Sequence, residues 1–490
     1  MAYQNTRFAN RLVIIQHVKD VFAEIHVNAK PSGSEECYLD KSNENAKFFE
    51  LAEIGAAGGS GDLYNFPFLF LACGNPWYEA NDYLLSLVKH RHPEKRPTDD
   101  LRKRASKLLD YLLFCEDENL DWLDFTGARP AFRPTYKYFY HLINEGSRSN
   151  QVINQYTAVV YHFYDYVSRH WHDLDLKRVD TTKQVEFAVR TNAGIKLVKT
   201  EKRSQTKRVP PESPVPMGFV REDGEDLRPL CNRELGLLIN AIRNLKDWSA
   251  VERMILLVSL MTGARKQTVL TMRLKHLSSF TNDKLLPDGS YKLLAGPRTG
   301  IDTKYDKPQD LYFPKQLAED LVTLASSSMM KKRRAKFRMK LKDGFQLSED
   351  DTYLFLSDQG NCYYMAKSDP RYPVVMSPQT GQVTDTLKKK LIKKLAGKPF
   401  PEDFSYHWLR ATFAFQLYQR LQVLVENQRI RPGEVIDFVQ KRMHHESRET
   451  TENYLKLFEM SHEKVASQEM WEKTLFNGGY DVLKVETQDE

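Results

Sequence analysis

The segment MHHESRETTENYLKL at residues 443–457 places His445 nine positions before Tyr454. The part TENYLKL predicts a helix, with Thr450 or Thr451 as its N-cap residue. The positive end of that helix would then face whatever the phenol approaches, and this placement suits attack of the phenol on a phosphate. A tyrosine in the core or on the surface is the alternative interpretation, and only the spacing from His445 argues against it.

A second segment, SYHWLRATFA at residues 405–414, holds His407 and Arg410 on a helical pattern. Residues three apart share one face of a helix, so both side chains can reach the same small group. Two cationic or proton-sharing side chains on one face favour an anion as their partner. For His407 alone, a buried histidine satisfied by the core is the alternative interpretation.

The segment MTGARKQTVL at residues 261–270 places Arg265 just after Gly263, at a turn between two helical patterns. This position projects a guanidinium from the start of a helix, and its rigid fork of donors suits bidentate contact with a phosphate. A surface or capping arginine is the alternative interpretation.

The segment GIDTKYDKP at residues 300–308 carries two lysines, Lys304 and Lys307. It lies in a loop rich in Gly, Asp and Lys between two strand-like runs, YKLLA at 291–295 and DLYFP at 310–314. Runs of this kind on either side of such a loop predict a hairpin. The register of the hairpin, and so which lysine faces a given group, stays open.

Together and in this order, the four segments resemble the tyrosine recombinase family, the phage-integrase type of DNA strand-exchange enzyme. The resemblance covers roughly residues 95–460 in architecture and is specific in its motifs within 229–460. Two positions depart from the family pattern: Thr268 stands where an acidic residue is frequent, and His444 stands where glycine is usual. Neither position performs the chemistry.

The resemblance implies that Tyr454 is a nucleophile that attacks a DNA phosphodiester. The products of that step are a covalent 3′-phosphotyrosyl link and a free 5′-hydroxyl. Arg265 and Arg410 would clamp the non-bridging oxygens and stabilise the transition state. Because the phosphotyrosyl ester conserves the energy of the cleaved bond, the reaction implies no nucleotide cofactor and no metal.

The same resemblance implies supporting roles for two histidines and one lysine. His407 and His445 would assist by hydrogen bonding and proton transfer. Lys304 would be the general acid that protonates the 5′ leaving oxygen. Lys307 lies in the same loop and is the alternative for that role.

The length of the chain, 490 residues, predicts about three domains at roughly 150 residues each. We expect a mostly α fold with a small antiparallel sheet in the catalytic domain, beside a helical core-binding domain and an extra N-terminal domain. The predicted boundaries are an N-terminal domain of unknown fold at 1–90, a helical DNA-binding domain at 95–175, a basic and Pro-rich linker at 176–228, a tyrosine recombinase catalytic domain at 229–460 and an acidic tail at 461–490.

Local patterns refine this outline. Residues 9–25 show a helical pattern. The Gly-rich run at 55–62 predicts a loop. It is not a phosphate-binding loop, since it lacks the Lys-Ser/Thr that completes one. The run TYLFLS at 352–357 is a third strand-like segment. The aromatic side chains of the 95–175 bundle are interpreted as core packing, with a stacking surface for bases as the alternative.

Positive charge is concentrated in the middle of the chain. The net charge is +7, but residues 1–90 carry 7 basic and 11 acidic groups and residues 461–490 carry 3 and 7, which leaves 62 against 47, or +15, in residues 91–460. Seven of the ten residues from 331 to 340 are basic, and five lysines lie between 388 and 394. This distribution favours a polyanion such as nucleic acid as the partner, although solvated helices give the same pattern.

Several classes of protein are disfavoured by composition. The sequence has no run of 18 apolar residues, and its first residues lack a signal-peptide profile. Its five cysteines are odd in number and form no CxxC pair, which argues against a disulfide framework and a zinc ribbon. We therefore expect a cytoplasmic protein without a membrane span.

The functional prediction is a site-specific DNA recombinase or integrase that serves the integration or excision of a mobile element. The expected partners are double-stranded DNA and further copies of the chain in a homo-tetramer on paired sites, with the acidic tail docked on a neighbour. Residues 1–90 are a candidate contact for an accessory protein. The alternatives are a type IB-like topoisomerase and a catalytically silent DNA-binding regulator.

Overall fold

The fold is mostly helical, with small antiparallel sheets of two strands each among the described residues, as the sequence predicted. The structure is a computed structural model, and the residues it describes are 8–19, 21, 24–28, 48–52, 62–89, 96–191, 194–211, 213–216, 218–244, 247–341, 345–446, 448–459 and 470. Apart from Asp62 and Met470, the Gly-rich run at 55–62 and the tail at 461–490 lie outside the described residues.

The chain divides into two compact units. One comprises Met1–Glu212 with Pro373–Met376, and the other comprises Ser213–Tyr372 with Ser377–Glu490. No helix in the described part is long and apolar enough to cross a bilayer.

The first unit begins with two antiparallel strand pairs, β1 (Leu12–Val18) with β4 (Leu63–Leu69) and β2 (Glu24–Asn28) with β3 (Phe48–Ala52). The predicted helix at 9–25 is therefore wrong over most of its length. The run LVIIQHV is rich in branched apolar residues, which favour a strand, and the pairing with β4 decides the outcome.

The helices of the first unit pack around one core. They are α1 (Tyr78–Lys89), α2 (Thr98–Asp117), α3 (Pro134–Asn144), α4 (Asn150–His170) and the short α5 (Leu176–Val179). Four of their aromatic rings, Tyr111, Tyr138, Phe163 and Tyr164, are fully buried, as the core interpretation of the bundle predicts, whereas Tyr140 is 51% exposed.

The predicted boundary at residue 90 does not hold for the described residues. Leu69 in β4, Trp77 before α1 and Leu84 in α1 are fully buried in the same core as the bundle at 95–175. These apolar side chains find their burial against the bundle, so β4 and α1 belong to it and not to a separate N-terminal domain.

Residues 176–228 contain more regular structure than the composition predicted. The hairpin β5 (Thr182–Thr191) with β6 (Gly194–Arg203) forms because Val185, Phe187 and Val189 alternate with more polar residues, the period of a strand. The segments 205–211 and 213–216, which hold four prolines, contain no helix or strand.

The second unit opens with the short hairpin β7 (Val220–Glu222) and β8 (Glu225–Leu227). Its second sheet is the predicted hairpin, β9 (Ser290–Ala295) with β10 (Gln309–Pro314), in which Leu293 lies opposite Leu311. Its helices are α6 (Asn232–Arg243), α7 (Ala250–Thr262), α8 (Lys266–Leu270), α9 (Lys315–Ser326), α10 (Ser328–Met339), α11 (Val383–Lys394), α12 (Trp408–Glu426), α13 (Pro432–Met443) and α14 (Arg448–Glu459).

The third strand-like run, 352–357, forms no strand. Tyr353 and Leu356 make isolated bridges with Arg273 and Cys362, respectively. The apolar side chains of the run are buried in the core. An apolar run fits a buried strand and a buried irregular segment equally well, so the pattern alone does not distinguish them.

Helix α7 is the central element of the second unit. Val251, Ile255 and Leu256 on this helix are buried, and α7 packs against α12. This packing brings the end of α7 close to the beginning of α12. The candidate site is built on that junction.

Candidate active site

Arg265 is positioned by a glycine turn. Gly263 caps the C-terminal end of α7 with a left-handed φ of 68°, and a Cβ added there would lie 2.5 Å from the ring of Phe413. Only glycine fits both constraints without strain. The chain then turns so that Arg265 caps α8, and its side chain, 16% exposed, points to two carboxylates, Glu222 and Asp223.

Arg410 holds three elements together. It lies in the first turn of α12 and is 3% exposed. Its Nη1 donates to the carbonyl of Gly263 at 2.7 Å, and its Nη2 donates to the carbonyl of Met443 at the end of α13. Its Nε lies 3.5 Å from Glu222 Oε1 and has no hydrogen-bond partner in the described structure, so it keeps a donor directed at this carboxylate.

His407 lies at the N-cap position of α12 and faces the same acids. Its Nε2 is 3.9 Å from Glu222 Oε2 and 4.0 Å from Asp223 Oδ2, beyond hydrogen-bond distance. Burial lowers the pKa of His407, and the charge of Glu222 opposes this only in part. The imidazole is therefore a neutral group that can accept a proton.

His445 follows a strained position. His444 ends α13 with a φ of 53°, in the left-handed region where glycine is preferred. His445 Nδ1 lies 3.1 Å from Thr451 Oγ1, and the rings of His445 and Tyr454 are 5.2 Å apart. Burial, followed by the charge of Arg410, lowers the pKa of His445 to about 3.

Tyr454 is fully buried within α14. The predicted N-cap at Thr450 or Thr451 is wrong, because the helix already begins at Arg448; Thr451 instead contacts His445. The phenol of Tyr454 donates to Glu222 Oε2. Burial and then the Glu222 carboxylate raise the pKa of Tyr454, so in this arrangement the residue is a protonated phenol.

Glu222 and Asp223 were missed by the sequence analysis, although a signal was present. Asp223 and Gly224 form the two-residue turn of the β7–β8 hairpin, with φ values of 57° and 80°. This is the type I′ geometry that an Asp-Gly pair favours. The sequence VREDGEDL therefore contains a recognisable hairpin, but nothing in it shows that the acids meet residues 265, 410 and 454.

Glu222 is the centre of the cluster. Its buried carboxylate accepts hydrogen bonds from Arg265 and Tyr454 and lies near Arg410 and His407. Burial by itself would raise its pKa, but Arg410 and then Arg265 hold the pKa of Glu222 well below its ordinary value. The cluster thus binds a negative charge.

The two loop lysines separate. Lys304 Nζ pairs with Asp223, whereas Lys307 pairs with Glu446 and lines a different cleft. Tyr305, with a left-handed φ of 59°, lies between them and turns the chain. The structure thus brings Lys304, and not Lys307, to the carboxylate that Arg265 also contacts.

An open cleft of about 960 Å³ gives access to the cluster. Arg265, Lys304, His407 and Arg410 line it, together with Lys388 from the basic run of α11. Glu222, Asp223 and His407 have atoms close enough to hold a metal ion. Both acids are already paired with Arg265 or Lys304, whose charges oppose a cation there.

The two predicted basic runs, in α10 and α11, are only partly available to a partner. In α10, Arg333 and Arg334 are buried, and Arg333 donates to the carbonyl of Leu356 at 2.8 Å. In α11, Lys390 and Lys394 pair with Glu252 and Asp247. These cations have partners within the second unit, so the basic runs cannot be counted whole as surface for a polyanion.

No family model matches the chain, and no curated protein sequence matches it. Three similar solved structures are the Tn1549 transposon integrase in complex with circular intermediate DNA (15% identity, TM-score 0.34, 76% of this chain and 94% of that chain), the XerA recombinase (16%, 0.27, 76% and 93%) and a lambda integrase dimer bound to a COC′ core site (11%, 0.34, 77% and 94%). These structural neighbours are tyrosine recombinases, the family whose motifs the sequence of this chain resembles.

Proposed function

We propose that the chain is a site-specific DNA recombinase or integrase that cleaves and rejoins strands through Tyr454. One observation carries the proposal: Arg265, Arg410, His407 and Tyr454 surround a single carboxylate, that of Glu222. A carboxylate and a phosphodiester both present negative oxygens to guanidinium groups. The cluster therefore has the donors that a phosphodiester requires, with a hydroxyl nucleophile beside it.

In this proposal a DNA phosphodiester takes the place of the Glu222 carboxylate. Arg265 and Arg410 then contact its two non-bridging oxygens, where negative charge increases in the transition state. Donors placed in advance around such charge are the largest catalytic contribution in many enzymes, and loss of one costs on the order of 100-fold in rate.

The bonds and protons of the step can be assigned to named atoms. Tyr454 Oη forms a bond to phosphorus, and the bond from phosphorus to the 5′ oxygen breaks. Lys304 donates a proton to that leaving oxygen. The phenolic proton passes to His407, whose Nε2 lies 3.9 Å from the Glu222 oxygen that accepts the phenol in this structure.

His445 acts as a positioning residue in this scheme. Its ring packs against the ring of Tyr454. Its Nδ1 faces Thr451, which lies one turn before Tyr454 in α14. The interaction fixes the direction of the phenol. Reversal of the same steps by a 5′-hydroxyl of a second strand rejoins the DNA and releases Tyr454.

The finer parts of the proposal follow from the family resemblance. Four copies would act on two paired sites, and the reaction would integrate or excise a mobile element. A type IB-like topoisomerase shares the nucleophile but needs no second site. Relaxation of a supercoiled plasmid without any recombinant product would favour the topoisomerase.

A pool of nicked suicide duplexes of random sequence tests the proposal without knowledge of the recognition sequence. A short strand that diffuses away after cleavage traps the protein on the DNA. With the wild-type chain we expect a covalent adduct that resists detergent. With Tyr454→Phe we expect no adduct. Tyr312→Phe is the matched control, because Arg442 lies over its ring and the phenylalanine keeps that contact. A silent DNA-binding regulator would retain DNA without any adduct.

A further inference from the structure

The β7–β8 hairpin, residues 220–227, presents two acids to the candidate site. Glu222 pairs with Arg265 and accepts from Tyr454, and Asp223 pairs with Arg265 and Lys304. Two consecutive residues of one turn therefore engage Arg265, Tyr454 and Lys304. These are side chains assigned to phosphate clamping, nucleophilic attack and leaving-group protonation, respectively.

The hairpin is held on the start of α12 by a few contacts. Trp408 Nε1 donates to the carbonyl of Asp226 at 3.1 Å, and Ser405 Oγ donates to Glu225 at 2.9 Å. The ring of Phe219, just before β7, packs edge-on against Trp408. The strands are three residues long, and an isolated two-stranded hairpin of that size is marginally stable in water. The docked hairpin therefore depends on these contacts, on the burial of Val220 and Leu227 and on the ion pairs of the site.

A carboxylate and a phosphodiester cannot share this position. Both carry a negative charge, and both would occupy the same place beside the guanidinium groups of Arg265 and Arg410. The buried Nε of Arg410 points to Glu222 without a hydrogen bond, so the carboxylate does not use all the donors around it. A tetrahedral phosphate has more acceptor oxygens than a planar carboxylate and can use a donor that Glu222 leaves unused.

We propose that the β7–β8 hairpin is an internal mimic of the substrate phosphate, which closes the site until duplex DNA displaces it. The inference rests on the proposed function. While the hairpin is docked, Tyr454 donates a hydrogen bond to Glu222 and Lys304 is paired with Asp223, so neither can act on a stray phosphate. Entry of a DNA phosphodiester releases the nucleophile, both arginines and the lysine together.

Neutral variants of the two acids test the inference. Glu222→Gln, Asp223→Asn and the double variant are compared with wild type for binding to a duplex and for the single-turnover rate of adduct formation on the nicked pool. A hairpin docked about nine-tenths of the time lowers the apparent affinity about 10-fold, so its release restores that factor. We expect tighter binding and faster adduct formation, with the double variant highest.

The matched control separates release of the hairpin from a general change of charge. Glu319→Gln with Asp320→Asn removes the same two charges from α9, where Glu319 is exposed and Asp320 is half-buried. This control should stay near wild type in both measurements. If Glu222 instead served as the base for Tyr454, Glu222→Gln would slow adduct formation, and that result overturns the inference.

Hydrogen exchange keeps the test independent of how well the neutral variants fold. Hydrogen exchange of the Tyr454→Phe chain, whose hairpin sequence is unchanged, is measured with and without duplex DNA. This variant is expected to bind DNA without cleaving it. The backbone amides of residues 220–227 should exchange faster when DNA is bound, because the released hairpin loses its support. Equal or slower exchange overturns the inference. If wild type forms adducts while the variants show no gain, the inference fails and the proposed function stands; if no chain binds DNA or forms adducts, both fail.

Discussion

Arg410 Nη1 donates to the carbonyl of Gly263 at 2.7 Å, so the helix that carries one candidate phosphate clamp is hydrogen-bonded to the turn that positions the other. The second guanidinium nitrogen, Nη2, donates to Met443, two residues before His445. A single buried side chain thus connects the three sequence segments that contain Arg265, Arg410 and His445. Its role in the fold and its role in the site cannot be separated.

Replacement of Arg410 should therefore reduce both stability and activity. Arg410→Ala breaks a buried charge interaction with Glu222, and such a loss typically lowers the free energy of unfolding by about 3–5 kcal/mol. Arg410→Lys keeps the charge but cannot reach two carbonyls in different directions. We expect both variants to lose at least about 100-fold in adduct formation. Urea unfolding should show the lysine variant between wild type and alanine; equal stability of all three would contradict the connecting role.

Gly263 provides a sharper test of the turn. Gly263→Ala places a Cβ 2.5 Å from the ring of Phe413 at a left-handed φ of 68°. The backbone strain alone costs about 1–2 kcal/mol, and the steric overlap adds to it. The matched control is Gly236→Ala, inside α6, where no atom lies within 4 Å of the added Cβ. The control should be stabilised by about 0.5–1 kcal/mol. Thermal unfolding that moved both variants in the same direction would contradict the account.

His445, whose ring packs against that of Tyr454, predicts a pH dependence of stability. Burial lowers the pKa of His445 from an ordinary value of 6.5 to about 3, so between these values the unfolded chain binds a proton that the folded site does not. Stability should therefore be complete above the unfolded pKa and decrease as the pH falls below it. His445→Gln should flatten this dependence between pH 6.5 and about 3, measured by urea unfolding at several pH values. A wild type whose stability increased on acidification would contradict the sign.

The pairing of Lys304 with Asp223 predicts which lysine is the general acid. Lys304→Ala should reduce adduct formation by about 10²–10⁴-fold, the usual contribution of such a proton transfer. A substrate with sulfur in place of the 5′ bridging oxygen should restore the rate, because a thiolate leaves without a proton. Lys307→Ala, which removes the pairing with Glu446, should stay near wild type on both substrates. A loss in Lys304→Ala that the sulfur substrate does not repair would contradict the role.

Short-range patterns in the sequence predicted much of the second unit. The alternation in 291–295 and 310–314 gave a correct hairpin. Arg410 lies in the first turn of α12, as its spacing predicted, whereas His407 is the N-cap residue just before that helix. The prediction that residues of the four motifs meet came from the resemblance to a family. Their spacing along the chain does not require it.

Long-range partners explain what the sequence did not reveal. The strand over residues 12–18 depends on pairing with residues 63–69, and the boundary at 90 disappears because Trp77 finds its burial in the bundle. Glu222 was invisible for the same reason: its partners lie 43, 188 and 232 positions away, at Arg265, Arg410 and Tyr454. Local composition carries no information about such contacts, whereas the geometry of the folded chain does.

Mass spectrometry of the trapped complex tests the central claim most directly. The adduct from the nicked pool is digested with trypsin and nuclease, and the peptide that carries a nucleotide is sequenced. The account predicts one modified residue, Tyr454, joined to a 3′ phosphate, and a free 5′-hydroxyl on the released strand. A nucleotide on another residue, or a link through a 5′ phosphate, would contradict it.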